Sequence, residues 1–286
     1  VVTDMTESGA QLFARLDARR CLKDVEPRLF PEHGGPDHGD VVELHGPAGT
    51  GAAGKTELLY HLLCRCVMPA AAGGLEVEVM FVDTDYSLDM LRLVSILDRR
   101  LTGSPGSPST EASLRSCLSR LLVVHCSSSS QLLLTLHLLE TSLSSRPGLA
   151  LLLIDSISAF YWLDRSEGGA SIAKQEEKLS KCSHLLARLL RDYRITVFAT
   201  CHAIRRNHAG PSASSEVPRP YLCRPWQRLV KHRLLCSRQQ TVLSDPATSS
   251  EGERRHQVFG VHSTSSSFRS QWSSSFYVTD AGVQFA

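Results

Sequence analysis

Short apolar runs alternate with helical patterns along most of the chain. Val41-Val42-Glu43-Leu44 reads as a strand, and Lys55 to Met68 as a helix with Leu58, Leu59, Leu62 and Leu63 on one face. Val77 to Val82 is the next strand. Leu88, Leu91, Val94, Leu97 and Leu101 then recur at helical spacing, with Ser87 as the expected cap. A third strand is expected over Leu121 to Cys126, a leucine-rich helix over Gln131 to Leu143, and a fourth strand over Leu149 to Ile154, six consecutive apolar residues. A helix from about Ile172 to Tyr193 leads into a fifth strand at Ile195 to Ala199. Strands that are apolar throughout, rather than alternating, are buried on both faces. Strand and helix in this order predict right-handed crossovers and an α/β fold, a mainly parallel sheet with helices on both faces.

The pattern fails in five places. Residues 1 to 40 hold only a weakly helical stretch around Leu12 to Leu16, and nothing there could fold alone. The Ser-rich pieces at 102 to 119 and 127 to 130 read as loops and caps. His202 to Pro220, rich in Ser, Gly, Pro and Arg, reads as a long loop of the kind that carries function. Thr241 to Ser275 is Ser-rich and weakly patterned, but Phe276-Tyr277-Val278 and Val283-Gln284-Phe285 flank Asp280-Ala281-Gly282, which predicts a closing hairpin. The expected organisation is one core over 41–240, preceded by the segment 1–40 and closed by 241–286.

Composition adds class and compartment. At 42% hydrophobic and 21% charged residues, the 286-residue chain has the make-up of a soluble globular protein rather than a disordered, fibrous or membrane one. No run approaches the ~18 apolar residues of a membrane span, and the start lacks the pattern of a signal peptide. Nine scattered cysteines without a Cys-x-x-Cys pair fit a reduced, intracellular protein. The net charge of +2 conceals a division: Arg188 to Gln240 holds eleven Lys or Arg against two acids, a +9 segment that leaves −7 on the rest. Such asymmetry points either to an anionic partner or to a salt-bridged surface.

Directly after the first strand, Gly46-Pro47-Ala48-Gly49-Thr50-Gly51-Ala52-Ala53-Gly54-Lys55-Thr56 opens a helix, and Gly49 to Thr56 satisfies G-x-x-x-x-G-K-[ST] in the strand, loop, helix context that motif requires. Glycines at 46, 49, 51 and 54, with Thr50 between, let backbone N–H groups wrap a polyphosphate. Lys55 would reach the terminal phosphates, and the Thr56 hydroxyl would ligate Mg²⁺. Gly46 to Lys55 is nine positions where a compact loop needs six. Either Gly49 is the functional first glycine, or the loop carries a three-residue insertion. Asp155, ending an apolar strand, has the position of a carboxylate that orients Mg²⁺ and its waters. Asp83 and Asp85 end a neighbouring strand, where either would polarise water or cap the next helix. His61, Cys64 and Cys66 do not make a zinc site, because Cys66 falls on a different helix face from His61.

These elements in this order resemble the RecA-type recombinase family, over nearly the whole chain. Gly46 to Thr56 is similar to its Walker A segment, Phe81-Val82-Asp83-Thr84-Asp85 to its strand ending in Asp-Thr-Glu, and Ile154-Asp155-Ser156 to its Walker B. Leu222-Cys223-Arg224-Pro225-Trp226 and Arg233-Leu234-Leu235 resemble the segment after its second DNA-binding loop. The stretches Leu75 to Asp85, Cys126 to Ser129, Asp155 to Trp162 and Leu229 to Arg233 are similar to one eukaryotic paralogue within the family. The resemblance implies a RecA-like P-loop ATPase core using ATP and Mg²⁺. It further implies a nuclear role in homologous recombination repair of DNA breaks, and assembly with other recombinase paralogues, chiefly the D-type one, on single-stranded or branched DNA. With about 40 residues ahead of the phosphate loop, the family's helical N-terminal domain is expected to be missing.

Two departures bear on turnover. Asp85 stands where the family has its catalytic glutamate, one methylene shorter, which sets a water base back by about 1.5 Å. Cys201-His202 replaces the nucleotide-sensing Asn-Gln pair. The expectation is therefore ATP binding with weak hydrolysis, or a scaffold that keeps only the fold, with a small-molecule phosphotransferase as a more distant alternative. The family's DNA-binding loops fall near Asp164 to Ala173 and His202 to Arg224. Arg205, Arg206, Arg219 and Arg224, with Tyr221 and Trp226 nearby, supply the cations and rings that single strands bind. Tyr161 and Trp162 read as packing or a partner contact.

Overall fold

A computed structural model describes residues 8–17, 20–30, 35–46, 53–102, 110–202, 222–244, 255–265 and 271–286. In chain order its elements are α1 (Gly9–Asp17), β1 (Val41–His45), α2 (Lys55–Val67), β2 (Glu78–Asp83), α3 (Met90–Thr102), α4 (Thr110–Ser119), β3 (Leu121–His125), α5 (Ser129–Ser145), β4 (Leu149–Asp155), α6 (Tyr161–Glu167), α7 (Ile172–Gln175), α8 (Glu177–Tyr193), β5 (Thr196–Cys201), α9 (Arg224–Leu229), β6 (Val230–Ser244), β7 (Arg255–Ser265), β8 (Gln271–Thr279) and β9 (Gly282–Phe285). The strands form one nine-stranded sheet in the order β3-β2-β4-β5-β1-β6-β7-β8-β9. From β3 to β6 neighbouring strands run parallel, and from β6 to β9 they run antiparallel.

The apolar strands are buried on both faces because successive side chains feed two cores. On one face Val42, Leu44, Val79, Phe81, Leu153 and Phe198 pack with α2 and α3. On the other, Val82, Leu152, Ile154, Val197 and Ala199 pack with α5 and α8. Leucines at helical spacing meet them: Leu58, Leu62, Leu93 and Leu97 on the first face, Leu132, Leu136, Leu186 and Leu189 on the second. Leu22, Val25, Leu29 and Phe30 enter the first core, so the stretch ahead of β1 is part of the same packed body.

Four local expectations differ from the structure. Residues 110–119, read as loop because of their serines, form α4, whose Cys117 is buried while the serines ride on the surface side. The helix expected from Ile172 breaks at Glu176 into α7 and α8. The weakly patterned tail is strand: β6 runs through position 240, and β7 and β8 fill most of 255–279. Its serines fall on both faces, since Ser274 pairs with the core residue Val261, itself opposite Cys236, while Ser275 and Ser237 flank Gly260 on the other face. Finally, Asp89 caps α3 in place of Ser87, its Oδ1 accepting from the N–H of Arg92 at 2.9 Å. The closing hairpin joins β8 to β9 around Asp280 and Ala281, with Gly282 at φ +90°.

Candidate nucleotide site

The carboxyl ends of β1, β2, β4 and β5 converge, and this is where sheets of this kind hold ligands. Lys55 and Thr56 open α2 immediately after Gly54. Gly54 lies at φ +75°, and a Cβ there would fall 2.7 Å from Cζ of Phe276, so both backbone and space demand glycine. Gly46 closes β1, and a Cβ at that position would meet Ala53 Cβ at 3.3 Å and Lys55 Nζ at 3.6 Å. Lys55 therefore folds its ammonium back over the strand end. Gly49, Thr50 and Gly51 lie outside the described residues, as does the length question about the loop.

Asp155 is the hub. Its Oδ2 accepts from Thr56 Oγ1 at 2.8 Å and from Ser87 Oγ at 2.9 Å, and its Oδ1 accepts from Thr200 Oγ1. The carbonyl of Asp155 takes the N–H groups of Thr84 and Asp85 at 2.9 and 3.1 Å, while Thr84 Oγ1 donates to the Ser156 carbonyl at 2.7 Å. These bonds lock the end of β2 to the end of β4. Neither Ser87 nor Thr200 is marked as a site residue by the sequence. Ser87 had a ready reading as a cap, and a threonine ending a buried strand carries no signal of its own.

The two neighbouring aspartates divide. Asp83 is turned inward, accepting from the N–H groups of Ser87 at 3.0 Å and Leu88 at 3.2 Å with His125 Nδ1 at 3.3 Å, so it holds the turn after β2. Asp85 faces the site, and its Oδ2 lies 2.7 Å from His202 Nε2. The two positions that depart from the family pattern are thus partners. The Asp85 hydrogen bond holds the His202 imidazole above its ordinary value against burial. Burial pushes the Asp85 carboxyl up, but the bond and charge of His202, with Ser156 and Lys55, outweigh it and set the carboxyl below the usual range.

A hydroxyl and a carboxylate in contact, beside an ammonium and a helix N-terminus, are a hard oxygen donor set suited to Mg²⁺ that keeps most of its waters and takes phosphate oxygens. No group of three or more His, Cys, Asp or Glu that could hold a metal by itself occurs among the described residues. His61 is occupied, with Nε2 2.5 Å from Glu26 and Nδ1 accepting from Arg100 at 2.9 Å. Burial pushes the thiols of Cys64 and Cys66 up to about 12, so both stay protonated at neutral pH.

The basic segment is partly spent inside the protein. Trp226, expected beside the second DNA-binding loop as a stacking ring, is fully buried, and its indole N–H donates to Glu43 Oε2 at 2.6 Å. Arg233 pairs with the other oxygen of Glu43 at 3.2 Å, and Arg188 pairs with Glu140 at 2.7 Å. Arg224 is exposed at the start of α9. Arg205, Arg206, Arg219 and Tyr221 lie outside the described residues. An exposed ring appears instead on α6, where Trp162 is 56% exposed with the Arg165 guanidinium 5.6 Å from its centre.

Comparison with known proteins agrees with this architecture. The Rad51 family model matches residues 31–221. Over 289 aligned residues the chain is 48% identical to the DNA repair protein XRCC2 of Mus musculus, covering 98% of this chain and 97% of the mouse protein. It is 26% identical to the DNA repair protein XRCC2 homolog of Arabidopsis thaliana, covering 76% and 74%. It is 29% identical to the DNA repair and recombination protein RadA of Haloquadratum walsbyi, covering 58% and 53%. The chain belongs to the Rad51 family and is a RecA-type recombinase paralogue.

Proposed function

We propose that this paralogue is a nucleotide-binding subunit of a DNA repair complex that supports homologous recombination, working in the nucleus with other recombinase paralogues, chiefly the D-type one. The observation that carries the nucleotide part is the meeting of Thr56 and Asp155 at 2.8 Å beside Lys55, at the opening of α2. In that reading the α2 N-terminus and Lys55 bind the phosphates of ATP, and Thr56 and Asp155 hold its Mg²⁺, which screens the phosphate charge. Ser87 and Thr200 orient the Asp155 carboxylate. Arg224 and the arginines before it meet the phosphates of single-stranded or branched DNA.

Partner dependence has its own support. Among the described residues the strand β3 ends the sheet and pairs only with β2, and its sequence Leu121-Leu122-Val123-Val124-His125 makes that edge largely apolar. The next helix, α5, exposes Leu134 and Leu138 at 58% and 62%, one turn apart. An open apolar edge suits an extended segment from another chain, added as a further strand. The scaffold reading is favoured by one observation, the commitment of Asp85 to His202, which takes the candidate water base out of play.

Photo-crosslinking of ATP to the chain in complex with its partner, with Lys55→Ala as the control, tests the reading, together with retention of single-stranded DNA. Crosslinking lost in K55A and DNA retention gained with the partner support it. No crosslinking and no gain in retention overturn it. Crosslinking to wild type, together with normal repair by K55A in cells, leaves the scaffold.

A further inference from the structure

His45 closes β1 and is buried, and its Nδ1 is the one buried side-chain nitrogen or oxygen among the described residues without a hydrogen-bond partner. Buried lone pairs are nearly always satisfied, so an orphan at the strand end that feeds the phosphate loop calls for a physical reason. Its neighbours supply one. In register beside it stand Cys201 of β5 and Leu235 of β6. The charged groups acting on the ring are both cations, Arg233 from β6 and Lys55 from α2. Glu43, two residues back on β1, is taken by Trp226 and Arg233. The thiols at this end of the sheet carry no charge, because burial pushes Cys236 up to about 12 and Cys201 higher still.

Burial first, then Arg233 and Lys55, hold the His45 imidazole down at about 4. At neutral pH the ring therefore has one N–H and one lone pair, and the lone pair sits in a positive field that no anion among the described residues balances. A polyphosphate brings several negative charges to Lys55 and reverses that field. We propose that His45 takes up one proton at Nδ1 when a polyphosphate binds against Lys55, adding a third positive charge to Lys55 and Arg233. The proton comes from solvent and returns to it when the phosphates leave. This rests on the nucleotide reading above, and makes His45 a positioning residue that reports occupancy of the phosphate site to the sheet.

Linkage sets the expected size. A site that gains one proton on binding tightens as pH falls, by at most about tenfold per pH unit. The test is calorimetric titration of the full chain with MgATP at about pH 6, in buffers of different ionisation enthalpy, so that the dependence of the heat on buffer gives protons taken up. His45→Gln keeps a polar side chain that cannot titrate and His45→Phe removes polarity altogether; thermal melting identifies which variants are folded, and either folded variant suffices. The expected result is uptake of a large fraction of one proton by wild type beyond that of the variant, which still binds MgATP but loses the pH dependence. Binding with equal proton uptake in wild type and variant overturns the role of His45 alone. No binding heat from wild type overturns the nucleotide reading, and this proposal with it.

Discussion

Gly54→Ala is the substitution whose cost the structure fixes most closely. The residue has φ +75°, and an L side chain in the left-handed region costs about 1–2 kcal/mol. The added methyl group would also lie 2.7 Å from Phe276 Cζ and 3.1 Å from its Cε2. Phe276 cannot swing aside freely, because it is fully buried and stacked on Phe259 with ring centres 5.2 Å apart. Overpacking of this kind costs about 1–3 kcal/mol, so the sum is about 2–5 kcal/mol. Urea unfolding of the variant should show a midpoint lowered by that loss divided by the slope, with the slope itself little changed. Phe276→Leu in the same background should recover part of the steric share and none of the backbone share. A loss below about 0.5 kcal/mol, the range of ordinary surface changes, would refute the reasoning, since Phe276 would then not confine the residue that opens α2. Nucleotide binding should weaken in the variant beyond the effect on stability, since Lys55 and Thr56 follow at once.

Trp226→Phe keeps an aromatic body in the core but leaves Glu43 short of its indole donor, so stability should fall by about 1–3 kcal/mol, read by denaturant unfolding. The Asp85–His202 pair has a pH window. The raised imidazole contributes fully below its ordinary 6.5 and loses that contribution as pH rises through the folded value, while the lowered carboxyl contributes above its ordinary 3.8 and loses it as pH falls. The pair is therefore strongest between those values, and His202→Gln should lower the unfolding midpoint there and flatten its fall at pH above 6.5 and below 3.8; an unchanged profile would show the pair absent in solution. Leu134→Glu combined with Leu138→Glu should leave the melting temperature within about a degree, as exposed positions do, while co-purification with a partner paralogue is lost.

How much of this was legible in the sequence depended on whether a residue's role is local. Lys55, Thr56 and Asp155 could be named because a glycine-rich turn into a helix and an apolar strand ending in acid are short-range patterns. Ser87 and Thr200 could not, since their importance lies in meeting one carboxylate, from a turn 68 positions away and a strand 45 positions away. The C-terminal strands were hidden for a related reason. In β7 and β8 the outward positions carry serine, glycine and histidine rather than charge, and the inward ones are spread thinly enough that period two does not rise above a Ser-rich background. Trp226 misled in the opposite direction. A tryptophan among arginines fits a stacking surface, and only the buried Glu43, 183 residues earlier, turns it inward.

That reversal changes what the charge division means. Arg233 pairs with Glu43, Arg188 with Glu140 and Arg191 with Asp192, so three of the described cations in the +9 segment are matched by acids of the same chain. The Glu43 cluster joins α9, where the predicted DNA-facing loop returns to the sheet, to β1, which ends in the phosphate loop. His45 is two residues farther along that strand, under the charges of Arg233 and Lys55 together. A shift of the loop's return point that moved Trp226 or Arg233 would therefore be felt at His45 through charge, with no change in strand pairing. On the proposed nucleotide reading, with the candidate water base Asp85 tied to His202, this route would let the basic segment sense phosphates at Lys55 without turnover.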